Sequence, residues 1–539
     1  MQAQRILIVG GGSAGWMAAA YLNAALNHPD NGPKKIAEIS LIESPDVPRI
    51  GVGEATIPNI NHILKVIGID ELDFMRTVDG TFKQSIRYVN WLHNQGEFYH
   101  HPFSRYRPAP IDRSGRSWLM SDRSIPFMET VSAQPVICEL GLAPKQGRPG
   151  DFGAPLTYAY HMNALKFADY LCAHATQRGV SHYKDHVVEV KRAENGNIAS
   201  VISRGGLKLE ADLFIDCTGF ASVLIEKTMG VEFLDYSQWL LCDRAVTMHV
   251  PYDRFYPGFV RPYTQATALS AGWVWEIPLQ TSKSLGYVHS SAFINEKDAE
   301  AELRRYEGAH CESLETRLVR FKVGRREKVW VGNCLSIGLA GGFIEPLEST
   351  GLYLSDLATV MLAEHFPHSP AGYEAAAFRV NRILANRFYE VLDFINMHYC
   401  LTKRADSAFW KEVQKSERIN PRLAAKLEYW RHKPPTASDF EDQFFPGQPD
   451  LALSSGDFPG DHRSPVDTAG LWNHESYETI LFGMDFLREE CKAMYGDNLP
   501  KPKVVQQVFD RLRLAPQLLP PHDLWLQRNV GMQIYPKTI

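Results

Sequence analysis

The chain has 539 residues, is 45% hydrophobic and 22% charged, and carries a formal net charge of -5. That length suggests about two to four domains, and the composition is that of a globular protein, not a disordered one. Mild acidity argues against nucleic acid as a partner, and no run approaches the ~20 apolar residues that span a membrane.

In chain order, the apolar run over 6–9 breaks at once into glycines, which excludes a secretory signal. Residues 5–9 predict a buried strand, 10–15 a turn and 16–25 an Ala- and Leu-rich helix. Residues 29–33 read as a surface loop, and 36–42 as a second strand ending at Glu43. The stretch 120–155 is rich in Pro and Gly and reads as an irregular insertion. A helix is predicted over 161–178. Residues 187–191, 198–203 and 207–209 predict a small antiparallel sheet, and 213–216 a further buried strand. Long helices are predicted over 352–365, 373–400 and 477–494, with a loop-rich stretch over 434–465. The eight cysteines, Cys138, Cys172, Cys217, Cys242, Cys311, Cys334, Cys400 and Cys491, show no C-x-x-C spacing. Buried thiols in a reducing cytoplasm, with no disulfide framework and no metal site, are the expectation.

Gly10-Gly11-Gly12-Ser13-Ala14-Gly15 matches G-x-G-x-x-G between a predicted strand and a predicted helix. The first glycine allows the tight turn, the second lets backbone approach a pyrophosphate, and the third lets helix pack on strand. Phosphates then meet the free N–H groups of the helix N-terminus. Glu43 closes the second strand with a carboxylate suited to ribose hydroxyls. The motif alone does not separate FAD from NAD. Asp212-Leu213-Phe214-Ile215-Asp216-Cys217-Thr218-Gly219 is a strand running into a small-residue turn, either a second cofactor-facing element or an ordinary buried strand.

Three more segments narrow the reading. They are Gly80-Thr81-Phe82-Lys83 followed by Ile86-Arg87-Tyr88-Val89-Asn90-Trp91, then Gly272-Trp273-Val274-Trp275-Glu276-Ile277-Pro278, and Phe343-Ile344-Glu345-Pro346-Leu347-Glu348-Ser349-Thr350-Gly351. With the N-terminal glycines and Gly51-Val52-Gly53-Glu54-Ala55-Thr56, in this order, the sequence resembles the flavin-dependent tryptophan halogenases over nearly the whole chain.

The resemblance implies an α/β fold: a Rossmann-like FAD-binding module of the glutathione-reductase and monooxygenase type with an appended, mainly helical substrate region. The expected division is 1–110 and 155–365 for the FAD module, 111–154 and 366–539 for the substrate region. It implies a two-component enzyme: a separate flavin reductase, forming no stable complex, supplies reduced FAD, and a flavin hydroperoxide oxidises chloride or bromide to hypohalous acid. The acid travels through a tunnel to an electron-rich aromatic ring. Lys83 matches the catalytic lysine, which hydrogen-bonds the hypohalous acid or is itself halogenated. Glu348 matches the catalytic glutamate, polarising that acid or accepting the ring proton; the register with Ser-Thr-Gly selects it over Glu345. Thr350 and Gly351 match the halide-binding positions; Ser349 or Thr350 as a helix N-cap is compatible with that role. Ser44, Ile50, Val52, Ala55, Val187, Leu339 and Leu352 fall at FAD-contacting positions. Trp273 and Trp275 are expected on the flavin side of the tunnel, with plain core packing equally open.

For the substrate, His101, Phe103 and Trp472 match ring-contacting positions, each with an equal reading as core. Where tryptophan specialists hold the amino acid with a glutamate and an asparagine flanking that Trp, this chain aligns Asp467 and Ser476. Their paired-tyrosine loop is not evident in 434–465. Indole or a substituted indole is therefore expected over free tryptophan. The alternatives are a tryptophan-specific halogenase, an FAD-dependent aromatic monooxygenase and a non-catalytic flavin carrier. A homodimer is compatible with the sequence.

Overall fold

The computed structural model describes residues 3–49, 51–105, 114–146, 152–440, 471–486 and 503–538. The N-terminal alternation is that of a strand buried on both faces, and Gln4–Val9 forms the middle of a six-stranded sheet. Its order is Trp330–Val331, Cys334–Ser336, Leu213–Asp216, Gln4–Val9, Ala37–Glu43, Ser181–Lys184. All neighbours run parallel except the first pair. Parallel strands need covered faces. The Ser13–Leu26 helix supplies one cover, and its buried Trp16, Met17, Tyr21 and Leu22 explain why it reads as apolar all round. This is the predicted Rossmann-like architecture.

Two further sheets place the functional side chains. Gly53–Ala55, Ala159–Asn163 and Thr81–Lys83 form a three-stranded antiparallel sheet. A seven-stranded sheet follows in the order Thr316–Arg320, Arg244–Pro251, Ser282–His289, Gly272–Pro278, Thr264–Ala268, Ser85–Val89, Phe98–Pro102. The Gly272–Pro278 strand is buried at every position, and Gly286 opposite it makes room for Trp275, whose ring lies where a Cβ would be. The Tyr373–Cys400 helix, at 28 residues about 42 Å long, brings His398 in its last turn against Tyr88 of this sheet, with ring centroids 4.9 Å apart.

Several sequence expectations change. The helix predicted over 161–178 spans Ala164–Gln177, because His161 belongs to the Ala159–Asn163 strand. Asn163 ends that strand and caps the helix, its side chain accepting from the Leu165 and Lys166 amides. The irregular stretch 120–155 holds two short helices, Phe127–Val131 and Gln134–Glu139. The last long helix is described over His474–Gly483. Seven described cysteines are free, and no described helix is long and apolar enough to cross a membrane.

Candidate active site

Two cavities of about 610 Å³ each lie on either side of the turn that carries Glu348 and Ser349. The first opens above the N-terminal turn. Gly10, Gly12, Ser13, Ala14, Glu43, Ser44, Val52, Ala55, Val187, Leu339 and Leu352 all line it, as do Trp273 and Trp275. Gly15 lies beneath, where a Cβ would stand 2.0 Å from the Gly10 carbonyl oxygen, so its role is close packing of helix on strand. Gly10 has φ of +113° and a Cβ there would meet the Cys217 carbonyl at 2.2 Å. Ile50 lies outside the described residues. Glu43 already binds Arg49 at 2.7 Å and His182 at 2.9 Å, which fixes its carboxylate at the cavity wall.

The second cavity is lined by His101, Phe103, Arg105, Glu348, Trp472 and Ser476 among others. Trp472 is stacked on Phe394, with ring centroids 4.1 Å apart and an interplanar angle of 11°. Its backbone N–H donates to Glu390 at 2.9 Å.

The Pro346–Glu348 turn and Ser349 form the partition. Ser349 lines the first cavity and Glu348 the second. Ser349 adopts φ of +59°, uncommon for a residue with a Cβ. Lys83, at the end of the Thr81–Lys83 strand, is fully buried and donates from Nζ to Ser349 Oγ at 2.7 Å. The same nitrogen lies 5.3 Å from the centroid of the Phe103 ring. Burial pulls the Lys83 ammonium down to about 7, against the opposing pull of Glu348 and Glu54.

Glu348 is held from three elements. Tyr88 and His101 sit on paired strands, Tyr88 opposite Tyr99 and Ile86 opposite His101, so the pleat sends both side chains to one face. Tyr88 donates its hydroxyl to Oε1 at 2.5 Å, and His101 Nδ1 lies 3.1 and 3.0 Å from Oε1 and Oε2. His398, on the Tyr373–Cys400 helix, brings Nε2 within 3.1 Å of Oε1. Burial pushes the carboxyl up, but His101 and then His398 outweigh it and hold Glu348 well below the usual range. Glu345 has different surroundings. It accepts from Tyr399 at 3.0 Å and from Trp273 Nε1 at 3.4 Å, and burial raises it to about 7.

Thr350 stands at the N-cap position of the Gly351–Glu364 helix, but its side chain makes no cap bond, and its buried Oγ1 has no partner among the described residues. Gly351 lines the first cavity, with open space where a Cβ would be.

Residues 5–498 match the family model for tryptophan halogenases. The chain belongs to the tryptophan halogenase family. It is 35% identical to the tryptophan 7-halogenase RebH of Lentzea aerocolonigenes over 98% of this chain and 99% of that protein. With the tryptophan 6-halogenase ThaL of Streptomyces albogriseolus it shares 34% identity over 89% of each. Among solved structures, a tryptophan halogenase from Shewanella frigidimarina superposes with a TM-score of 0.86 at 33% identity, covering 98% of both chains. BrvH, a flavin-dependent halogenase from Brevundimonas, gives 0.80 at 27% identity, covering 98% of this chain and 99% of that one. The protein is thus a flavin-dependent halogenase, a family whose membership implies FAD as the cofactor.

The first cavity fits that cofactor. A Cβ on Gly12 would meet nothing within 4 Å, so this glycine leaves open space at the N-terminus of the Ser13–Leu26 helix, where a pyrophosphate needs backbone N–H groups. Filling that space is a clean test. The Gly12→Val halogenase is expected to keep its melting temperature, because Gly12 has φ of -76°. It should bind FAD at least about tenfold more weakly, ~1.4 kcal/mol, read by flavin-fluorescence titration. Unchanged affinity would place the phosphates elsewhere.

The residues that sequence reasoning left without a role are Tyr88, His398, Arg49 and Glu54, and Ser349 was read only as a helix cap. Glu54 lines the first cavity, and burial raises its carboxyl to about 7 although Lys83 opposes the shift. Tyr88, Ser349 and Glu54 stood inside quoted motifs, whereas nothing local marked His398 or Arg49.

Proposed function

We propose that this halogenase accepts indole or a substituted indole in preference to free tryptophan, using Lys83 and Glu348 as its catalytic residues. The observation that carries the substrate reading is the state of the polar wall of the second cavity. Arg105 is engaged by Glu478 at 2.7 Å. Ser476 faces His101 at 3.1 Å, Ser132 donates to the Ser104 carbonyl, and Asn473 caps the His474–Gly483 helix. An amino acid's ammonium and carboxylate, once desolvated there, need partners, and Arg105, Ser132, Asn473 and Ser476 are already engaged within the protein. Asp467 lies outside the described residues. The relatives' names favour the rival reading, free tryptophan. Steady-state rates decide: indole is expected to give the higher kcat/KM by about tenfold or more, ~1.4 kcal/mol. Saturation by tryptophan at low concentration, with indole poor, overturns the proposal.

Reduced FAD with oxygen supplies the two-electron oxidation that turns halide into hypohalous acid. Lys83, between the two cavities, receives that acid and donates a proton to its oxygen. The ring's electron pair forms the carbon–halogen bond, the halogen–oxygen bond breaks, and the oxygen leaves as water. Glu348 takes the ring proton, which later returns to Lys83. Oε1 is already contacted by Tyr88, His101 and His398, whereas among the described residues Oε2 has His101 alone, so Oε2 is the accepting oxygen. The Thr350 and Gly351 amides, at a helix N-terminus beside the first cavity, are suited to hold the halide.

The reduced cofactor is taken to come from a separate flavin reductase. Val47 and Phe220 line the first cavity and are exposed, so flavin can exchange with solvent. The division of the chain is supported by the cavities. The first draws only on residues within 1–110 and 155–365, and the second takes its wall from those segments and from 111–154 and 366–539 as well, at their seam. Free thiols among the described residues suit a reducing cytoplasm.

A further inference from the structure

Hypohalous acid delivered to the second cavity meets more there than a substrate ring. Among the described residues, Met128 brings the one sulfur atom to that cavity's wall. It stands on the Phe127–Val131 helix, and its Sδ lies 2.9 Å from Thr479 Oγ1, itself a lining atom's residue. Thr479 has one hydroxyl hydrogen and also lies 2.8 Å from the Glu475 carbonyl oxygen. A carbonyl is a far stronger acceptor than a thioether, so the carbonyl takes that hydrogen and the sulfur keeps its lone pairs. Only 6% of Met128 is exposed, so a reagent formed inside reaches the sulfur more readily than one in bulk solvent.

A thioether is soft and polarizable, and its ordinary oxidation product is the sulfoxide. The chemistry balances with what the halogenase makes. A sulfur lone pair takes the halogen as the halogen–oxygen bond breaks, and the hydroxide leaves with a proton as water. Water then adds to the sulfur, halide departs and two protons are released. Sulfur loses two electrons, the halogen gains two, and the halide is returned.

We propose that Met128 is an internal trap for halogen that finds no substrate: in an unoccupied second cavity, hypohalous acid oxidises it to methionine sulfoxide. An aromatic ring in the cavity protects the sulfur, because it intercepts the halogen and covers the wall. The sulfoxide is polar where the thioether was apolar, and a polar group in a closed wall with no donor is costly. The oxidised wall therefore holds an aromatic ring less well, and an idling enzyme limits itself. This inference rests on delivery of halogen to the second cavity, as proposed above, and not on which ring is the substrate.

The test idles the full chain with FAD, NADH, an unrelated flavin reductase, catalase and bromide, without substrate, and maps oxidised methionines by peptide mass spectrometry. Met120 and Met229 are internal controls, since both are more exposed than Met128 and neither lines the two cavities. Sulfoxide at Met128 is expected to exceed that at either control by about tenfold, to require bromide, and to fall about tenfold under saturating indole. Oxidation spread over Met120 and Met229, or indifferent to bromide, marks a diffusing oxidant and overturns the proposal. A bromine isotope pattern on the peptide of Trp472, the indole in the same wall, with Met128 intact, overturns it as well. Met128→Leu is a volume-conserving change and gives a second reading. After idling, the parent is expected to keep about a tenth of its own initial rate, and the variant most of its own. Equal fractional losses overturn the proposal. Bromide-dependent oxidation of Met128 in an enzyme that makes no halogenated indole upholds it and sinks the substrate reading. An enzyme that halogenates indole yet leaves Met128 intact on idling sinks this inference alone.

Discussion

Lys83→Met is expected to leave FAD binding intact and to lower halogenated product by at least about 10²–10³-fold, read by mass spectrometry of the product with its halogen isotope pattern. Methionine keeps the length and removes the charge. Lys83 lines neither cavity outright; its contacts are Ser349 and the face of Phe103, so FAD has no reason to dissociate. The ammonium is valuable because it is buried, where a charge aimed at the developing hydroxide acts through little intervening solvent. That burial also brings the group to about 7. If the ammonium is the working form, the rate of a single turnover falls as pH rises through about 7, because the proton needed by the leaving oxygen is lost. A rate that rises through the same window would instead make the free amine the reactive form, halogenated in its own right. Unchanged product from Lys83→Met would remove the residue from the chemistry altogether.

How far the sequence carried these conclusions depends on range. The N-terminal strand, turn and helix are local, and their period and glycines suffice. The Tyr373–Cys400 helix was legible for the same reason, since its apolar pattern persists from Ala376 to Tyr399. His161 was misread because its neighbours carry helical composition, whereas its place is decided by pairing with Thr81, 80 residues away. The short helices at Phe127–Val131 and Gln134–Glu139 hid among prolines that look like breakers but stand at helix starts, Pro126 and Pro135. In the candidate site, Lys83 and Glu348 were picked out through motifs, and His101 through the likeness of its segment to a ring-contacting one. His398 was not. In Asn396-Met397-His398-Tyr399 it reads as one more buried position in the last helical turn. Its place comes from a carboxylate 50 residues earlier in the chain, 3.1 Å from its Nε2, and from the Tyr88 ring 4.9 Å away between centroids.

Glu348→Gln should cost the enzyme in two separable ways. Catalysis is expected to fall by about 10²–10⁴-fold, because the amide keeps the shape but cannot take the ring proton at Oε2. Stability should also fall, and the sign follows from the carboxyl's state. Glu348 is held well below its ordinary range in the folded protein. Its contribution is therefore fully present above about pH 4.3, the ordinary glutamate value, and is lost as pH falls through the lower folded value. At about pH 6 the variant lacks that contribution and weakens the buried contacts that Tyr88 and His101 make with the carboxylate, a penalty of about 1–3 kcal/mol. Thermal unfolding of parent and variant should show the variant lower by several degrees at that pH, with the gap closing only under acid conditions. A variant of parental stability whose product is lost would leave Glu348 as the base and deny it a structural role. A variant that is less stable yet still halogenates would make the carboxylate a structural partner of His101 and His398, and the ring proton would need another acceptor.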